Sequence, residues 1–134
     1  MKLEDLAAAQ ERIEKGGWVH DLPGLPGVSI RARGLGNRDW RRLVAMRDTD
    51  PYRRDPEKDD REQAELLVRG ALLDWRGLQR ANGADLVFEP HEAVQLLSDP
   101  SLVVLRDAVA YAAVKVAEGK CSGDPPSPPA RPGK

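Results

Sequence analysis

The chain has 134 residues, enough for one domain with a modest core. Its 21 Lys and Arg against 22 Asp and Glu leave a net charge of −1, so no global field draws it to nucleic acid or anionic lipid. A single cysteine, Cys121, excludes an internal disulfide and a cysteine-based metal site.

Leu3 to Lys15 reads as a short amphipathic helix, with Leu3, Leu6, Ala7, Gln10 and Ile13 on one face and Gly16-Gly17 ending it. A helix this short is marginal alone, so it either docks or frays. The acids at Glu4 and Asp5 stand where a signal peptide needs an apolar run. No stretch approaches the roughly 18 apolar residues of a membrane span. A soluble protein of a reducing cytoplasm is the expectation.

Trp18-Val19-His20 and Val28 to Arg33 read as two strands joined by Leu22-Pro23-Gly24-Leu25-Pro26-Gly27, which is turn chemistry. In the second strand Val28, Ile30 and Ala32 alternate with Ser29, Arg31 and Arg33, so one face is buried and one wet. Asn37 suits an N-cap for a helix to about Arg47, with Trp40, Leu43 and Val44 inward.

Thr49 to Lys58 is predicted as loop, because Pro51, Pro56 and dense charge oppose regular structure. From Asp59 or Asp60 a helix is predicted to about Trp75, striped by Ala64, Leu67, Val68, Ala71, Leu72 and Trp75 and stopped at Gly77. A polar turn, Ala81 to Asp85, leads to a short extended piece, Leu86-Val87-Phe88. Pro90 opens a helix burying Ala93, Val94, Leu96 and Leu97. The last helix spans about Ser101 to Glu118.

The predicted fold is therefore α+β, mainly α: a short N-terminal β-hairpin, then a compact bundle of about four helices. The divisions are 1–15 for the first helix, 16–118 for the main domain and 119–134 for a Pro/Gly-rich tail expected to be disordered and dispensable for folding. The core is expected to rest on Trp40, Leu67, Ala71, Trp75, Phe88, Leu97 and Leu105.

Catalytic chemistry finds little support. Gly34-Leu35-Gly36 sits between a strand and a helix, but the third glycine of a phosphate loop falls at Asp39, and no Gly-Lys-Ser/Thr follows. His20 and His91 are the only histidines, and nothing near them in sequence supplies a triad or a metal set. No catalytic residue, cofactor or metal is expected. Arg31, Arg33, Arg38, Arg41, Arg42 and Arg47 form a basic cluster that could neutralise phosphates. The near-zero total charge favours instead a solvated face, or one that grips an acidic partner.

The last helix carries more apolar surface than one buried face needs. Leu102, Leu105, Val109, Ala112 and Val116 make one stripe; Val103, Ala110, Val114 and Ala117 make another. The preceding long helix has a back face at Leu66, Gly70 and Leu73. In a domain this small not every helix can be central, so Val103, Ala110, Val114, Ala117, Leu66 and Leu73, with Arg38, Arg41 and Arg42, are candidate partner-binding residues.

Three segments together resemble the tail assembly chaperones of long-tailed bacteriophages, in the form found in phages and prophages of alpha-proteobacteria. The first is Gly17-Trp18-Val19, a Pro/Gly turn, then Ile30-Arg31-Ala32-Arg33-Gly34-Leu35-Gly36-Asn37-Arg38-Asp39-Trp40-Arg41-Arg42-Leu43. The second is Leu72-Leu73-Asp74-Trp75-Arg76-Gly77 with the Asn82-Gly83 turn and the extended piece behind it. The third is Glu92-Ala93, Leu96-Leu97-Ser98-Asp99-Pro100, Arg106-Asp107-Ala108-Val109 and an Ala-rich helix end. The family's usual proline near Val87 is absent. The resemblance implies a non-enzymatic protein of the host cytoplasm, absent from the mature virion. It would bind the hydrophobic tape measure protein, with the major tail protein and a second copy of itself as further partners. It also implies a longer product made by a −1 ribosomal shift; Glu118-Gly119-Lys120 and Pro132-Gly133-Lys134 can be encoded on a slippery heptamer. The rival readings are a small nucleic-acid-binding regulator using Arg31–Arg47 and a minor structural tail or head–tail joining protein.

Overall fold

The computed structural model describes residues 1–47 and 55–126. The elements run α1 (Leu3–Lys15), β1 (Gly17–Val19), β2 (Ser29–Ala32), α2 (Arg38–Met46), α3 (Pro56–Gly70), β3 (Leu72–Arg76), α4 (Pro90–Ser98), a 3₁₀ turn (Pro100–Leu102) and α5 (Val103–Ala117). The fold is α+β and mainly α. The expected hairpin is part of a three-stranded antiparallel sheet, in the order β1-β2-β3.

The link between β1 and β2 is two tandem turns. Leu25 N–H donates to the Leu22 carbonyl and Val28 N–H to the Leu25 carbonyl, each at 3.2 Å. Each turn places Pro second and Gly third, and Gly24 and Gly27 have φ of 76° and 78°. That is the type II pattern, in which Pro presets one dihedral and Gly accepts the positive one.

The long helix departs from expectation at both ends. It starts at Pro56, not at Asp59 or Asp60, because Asp55 caps it by accepting from Lys58 N–H at 2.8 Å and Pro56 fits the first turn. It stops at Gly70, and Trp75 lies on a strand. The carbonyls at the break are taken by tertiary partners. Asn37 Nδ2 donates to Gly70 O at 2.6 Å, and Arg33 N–H to Ala71 O at 2.7 Å. A bulge explains the misleading pattern. Leu72 pairs with Ala32 and Asp74 with Arg31, which leaves Leu73 as an extra residue. The bulge puts Leu72 and Trp75, three residues apart, both in the core, which imitates helical spacing.

Val19, Ile30 and Trp75 are register partners on the sheet's inner face, and α5 packs against β1 and β2. From α5 come Leu105, Ala108, Val109, Ala112, Ala113 and Val116, all buried. α3 contributes Ala64, Leu67 and Val68, and α4 contributes Ala93 and Leu97. Arg106 Nη1 meets Asp60 Oδ1 at 2.8 Å and ties α5 to α3. Five of the seven expected core residues are buried. Trp40 and Phe88 pack on the core but stay half-buried.

The extended piece at Leu86–Phe88 joins no strand. Its anchor is the Trp75 indole, which donates to Leu86 O at 2.8 Å while the ring meets Phe88 edge-on at 5.2 Å. α2 buries none of its residues, and Val44, expected inward, is 44% exposed. The helix touches α3 through Trp40 and Leu43, both of which crowd Gly70, and Val44 lies about 100° round from Leu43.

Ordered pairing continues past 118. Trp18 and Ser122 exchange both backbone hydrogen bonds, at 2.7 and 2.8 Å. Cys121 packs on Gly17, where an added Cβ would stand 2.7 Å from its sulfur. The boundary expected at 119 therefore moves outward, and truncation there would strip the β1 edge. Residues 127–134 and residues 48–54 lie outside the described residues; of the loop predicted from Thr49 to Lys58, Pro56 to Lys58 are instead the first turn of α3.

Candidate partner-binding surfaces

The candidate residues do not form one patch. Arg38, Arg41 and Arg42 are exposed on α2. Leu66 is half-buried in a groove of about 320 Å³ between α2 and α3, lined also by Leu43, Met46, Arg47, Glu62, Glu65 and Arg69. Leu73 is not on a helix at all: it is the bulge residue of β3 and faces Gly16, where an added Cβ would stand 3.0 Å from its Cδ1. A residue in that position serves the α1–β1 junction.

On α5, Val114 is 39% exposed, while Val103, Ala110 and Ala117 are half-buried. Ala110 leans on the core, and the Ala117 backbone backs onto Gly34. The sequence pattern missed Val104, which is 53% exposed and stands beside the Gly24 turn. Val103 and Val104 are consecutive, so apolar periodicity alone could not decide which of them faces water.

α1 extends the apolar surface. Leu3 is 82% and Leu6 52% exposed, and no residue of α1 is buried. Its C-terminal end is held by a clasp. Arg33 donates through Nε to Glu14 O at 2.9 Å, through Nη2 to Glu14 Oε2 at 2.8 Å, and through Nη1 to Asp39. The Arg38 amide donates to Glu14 Oε1 at 2.9 Å. Burial pushes the Glu14 carboxyl up, but the Arg38 amide, Arg33 and Gln10 together outweigh it and hold it below its ordinary 4.5. The Arg33 hydrogen bond, then its charge, holds Asp39 below 3.8.

The sign of the linkage follows. Both folded carboxyls titrate below their unfolded values, so the clasp's contribution is complete above about pH 4.5 and fades as pH falls through the depressed folded values. Acidification should therefore loosen α1 before the core melts. Protection factors across residues 3–15, with the intrinsic slowing of exchange in acid divided out, should fall on acidification while those at Ile30 and Val109 hold. An equal fall everywhere would contradict this.

His20 Nδ1 lies 3.0 Å from the Oγ of buried Ser29, a pair that joins the end of β1 to the start of β2. Among the described residues, no group of three or more His, Cys, Asp and Glu could hold a metal ion, and no helix is long and apolar enough to cross a membrane.

Comparison with curated proteins found no match, and neither did comparison with solved structures. A family model does match, over residues 34–122, from the Gly34 turn that follows β2 to the Ser122 that pairs with Trp18. Covering most of the chain, this match shows that the protein belongs to the YdaY prophage protein family.

Proposed function

We propose that this prophage protein is a non-catalytic tail assembly chaperone. In that role it binds the tape measure protein in the host cytoplasm, keeps it soluble, and is displaced as the major tail protein polymerises. The observation that carries the reading is apolar surface left outside a complete core. α5 buries one side and still exposes Val104 and Val114, and α1 exposes Leu3 and Leu6. A small domain with spare apolar helix faces can shield apolar helices of a target, and many weak contacts along an extended target add up. The prophage family supports a phage-encoded role, and the resemblance of the three sequence segments is what narrows it to a tail chaperone.

Co-expression with the long helical protein encoded in the same prophage tests it. The chain should raise that protein's soluble yield and co-purify with it. Val114→Asp should leave the fold intact, since Val114 is outward, while weakening co-purification. Soluble yield independent of the chain would sink the reading. A second reading, nucleic-acid binding, draws on exposed Arg38, Arg41 and Arg42; a salt-dependent mobility shift on duplex DNA would support it. Recovery of the chain in purified virions would favour a structural role instead.

A further inference from the structure

We propose that the cleft between β3 and the segment 85–88 is a binding site for a proline-rich extended segment, and that residues 127–131 of this same chain occupy it. The cleft has a volume of about 880 Å³. Its apolar lining comes from Trp75, Leu78, Leu86, Val87 and Phe88. Val87 is 75% exposed, and Leu78, Leu86 and Phe88 are half-buried. The Trp75 indole holds the Leu86 carbonyl at 2.8 Å, so the two walls are tied together.

The chain leads its own C-terminal segment to this cleft. Ser122 pairs with Trp18 along the edge of β1. Asp124 N–H then donates to Ser122 Oγ at 3.1 Å, a side-chain turn that carries the backbone off that edge. Pro125 and Pro126 follow, and both form part of the cleft wall beside β3, the strand at the opposite edge of the sheet. Because α5 fills the inner face, the passage from one edge to the other runs on the outer side. There the Arg76 guanidinium lies over the Trp18 ring at 5.9 Å.

Sequence and charge select the occupant. Residues 125–129 read Pro-Pro-Ser-Pro-Pro. Proline holds φ at about −65° and favours the polyproline helix, which has three residues per turn. Pro126 and Pro129 then share one edge, roughly 9 Å apart, and Pro125 and Pro128 share the next. Pro126 is half-buried and Pro125 exposed, so the Pro126 edge is the inward one, and Pro129 continues it. Aromatic-lined clefts take such segments. Among the charged lining residues Arg76 pairs with Asp74 at 3.6 Å, which leaves the charge of Asp85 uncompensated. Residues 127–134 carry Arg131 and Lys134 and no acid. A proline-rich segment of another protein would have to displace Pro125 and Pro126. The chain's own segment is tethered at the cleft and pre-set in shape, so it loses little freedom on docking. The assignment is independent of the chaperone reading.

Nuclear spin relaxation of the full chain tests this. The amides of Ser127 and Ala130 should be as ordered as those of the domain, with order parameters above about 0.6, below which backbone counts as flexible. The double variant Pro128→Ser/Pro129→Ser should drop both below that limit and move the amide signals of Leu78, Val87 and Phe88. Val87→Asp should free the same segment from the other side of the contact. Val87 is exposed, so the fold should survive, and the proline variant decides the matter if it does not. A synthetic peptide of residues 124–134 should bind the double variant at least about tenfold more tightly than the native chain, whose cleft is filled. Flexible Ser127 and Ala130 in the native chain, cleft signals unmoved by either variant, or a peptide that binds neither chain would overturn the proposal. Equal peptide binding to both chains would show a cleft open to other proteins, and order that vanishes on dilution would give the cleft to the segment of a second copy. Either result sinks the assignment to the chain's own residues.

Discussion

Replacing Trp75 with alanine should lower the unfolding free energy by about 3–5 kcal/mol, the usual cost of deleting a buried large aromatic. Trp75 is 2% exposed and sits where β3 meets the core. Its loss removes more than packing. The indole N–H holds the Leu86 carbonyl, and the ring supports Phe88 edge-on. The segment 86–88 belongs to no strand, and Leu86 N–H, which donates to the Leu78 carbonyl at 2.8 Å, holds only its first residue. Chemical denaturation should show the full loss, with faster amide exchange at Leu86 and Phe88. Trp75→Phe should recover most of the packing and none of the hydrogen bond. A melting curve unchanged by Trp75→Ala would overturn the core assignment.

Asn37→Ala should cost about 3 kcal/mol, more than a lost helix cap alone, which is worth about 1 kcal/mol. The side chain is fully buried and makes three hydrogen bonds. Its Oδ1 accepts from Trp40 N–H at 2.9 Å and caps α2. Its Nδ2 donates to Gly34 O at 2.9 Å and to Gly70 O at 2.6 Å. Alanine strands the buried Gly70 carbonyl, worth about 1–3 kcal/mol unsatisfied, while the Gly34 carbonyl keeps the backbone N–H of residue 37 at 3.2 Å. Asn37→Asp separates the roles: it keeps the cap acceptor but sets a carboxylate against two carbonyl oxygens. At neutral pH it should be at least as damaging as alanine. Burial and those oxygens would raise its folded pKa, so part of the loss should return on mild acidification. Asn37→Asp as stable as the native chain would show that the donor bonds contribute nothing.

The fold class, the hairpin and the α2 cap were legible in the sequence because each rests on local chemistry. Pro-Gly pairs make the tandem turns. Asn37 reads as a cap and is one. On α5 the second apolar stripe is only partly outward: Val114 is exposed, Val103, Ala110 and Ala117 are half-buried, and the exposed Val104 was not in the stripe. The groove between α2 and α3 was only half legible. Leu66 and the arginines were candidates, but their separation from the α5 face, and the engagement of Glu62 and Glu65, depend on which helices meet.

What tertiary structure alone decided is clearest at residues 70–76. The apolar spacing of Ala64, Leu67, Val68, Ala71, Leu72 and Trp75 fits a helix throughout, and Gly70 is the one local weakness in it. The helix ends because Asn37 and Arg33, distant in sequence, capture the Gly70 and Ala71 carbonyls. The strand then keeps Leu72 and Trp75 on one face through a bulge at Leu73 that only pairing with β2 creates. The far end of the domain repeats the lesson. Ser122 lies in a polar tail with little to bury, yet its backbone pairs with Trp18 because the β1 edge offers unpaired N–H and C=O groups. Hydrogen-bonding partners supplied by remote segments are invisible to periodicity, whereas turns, caps and apolar stripes are written in neighbouring residues.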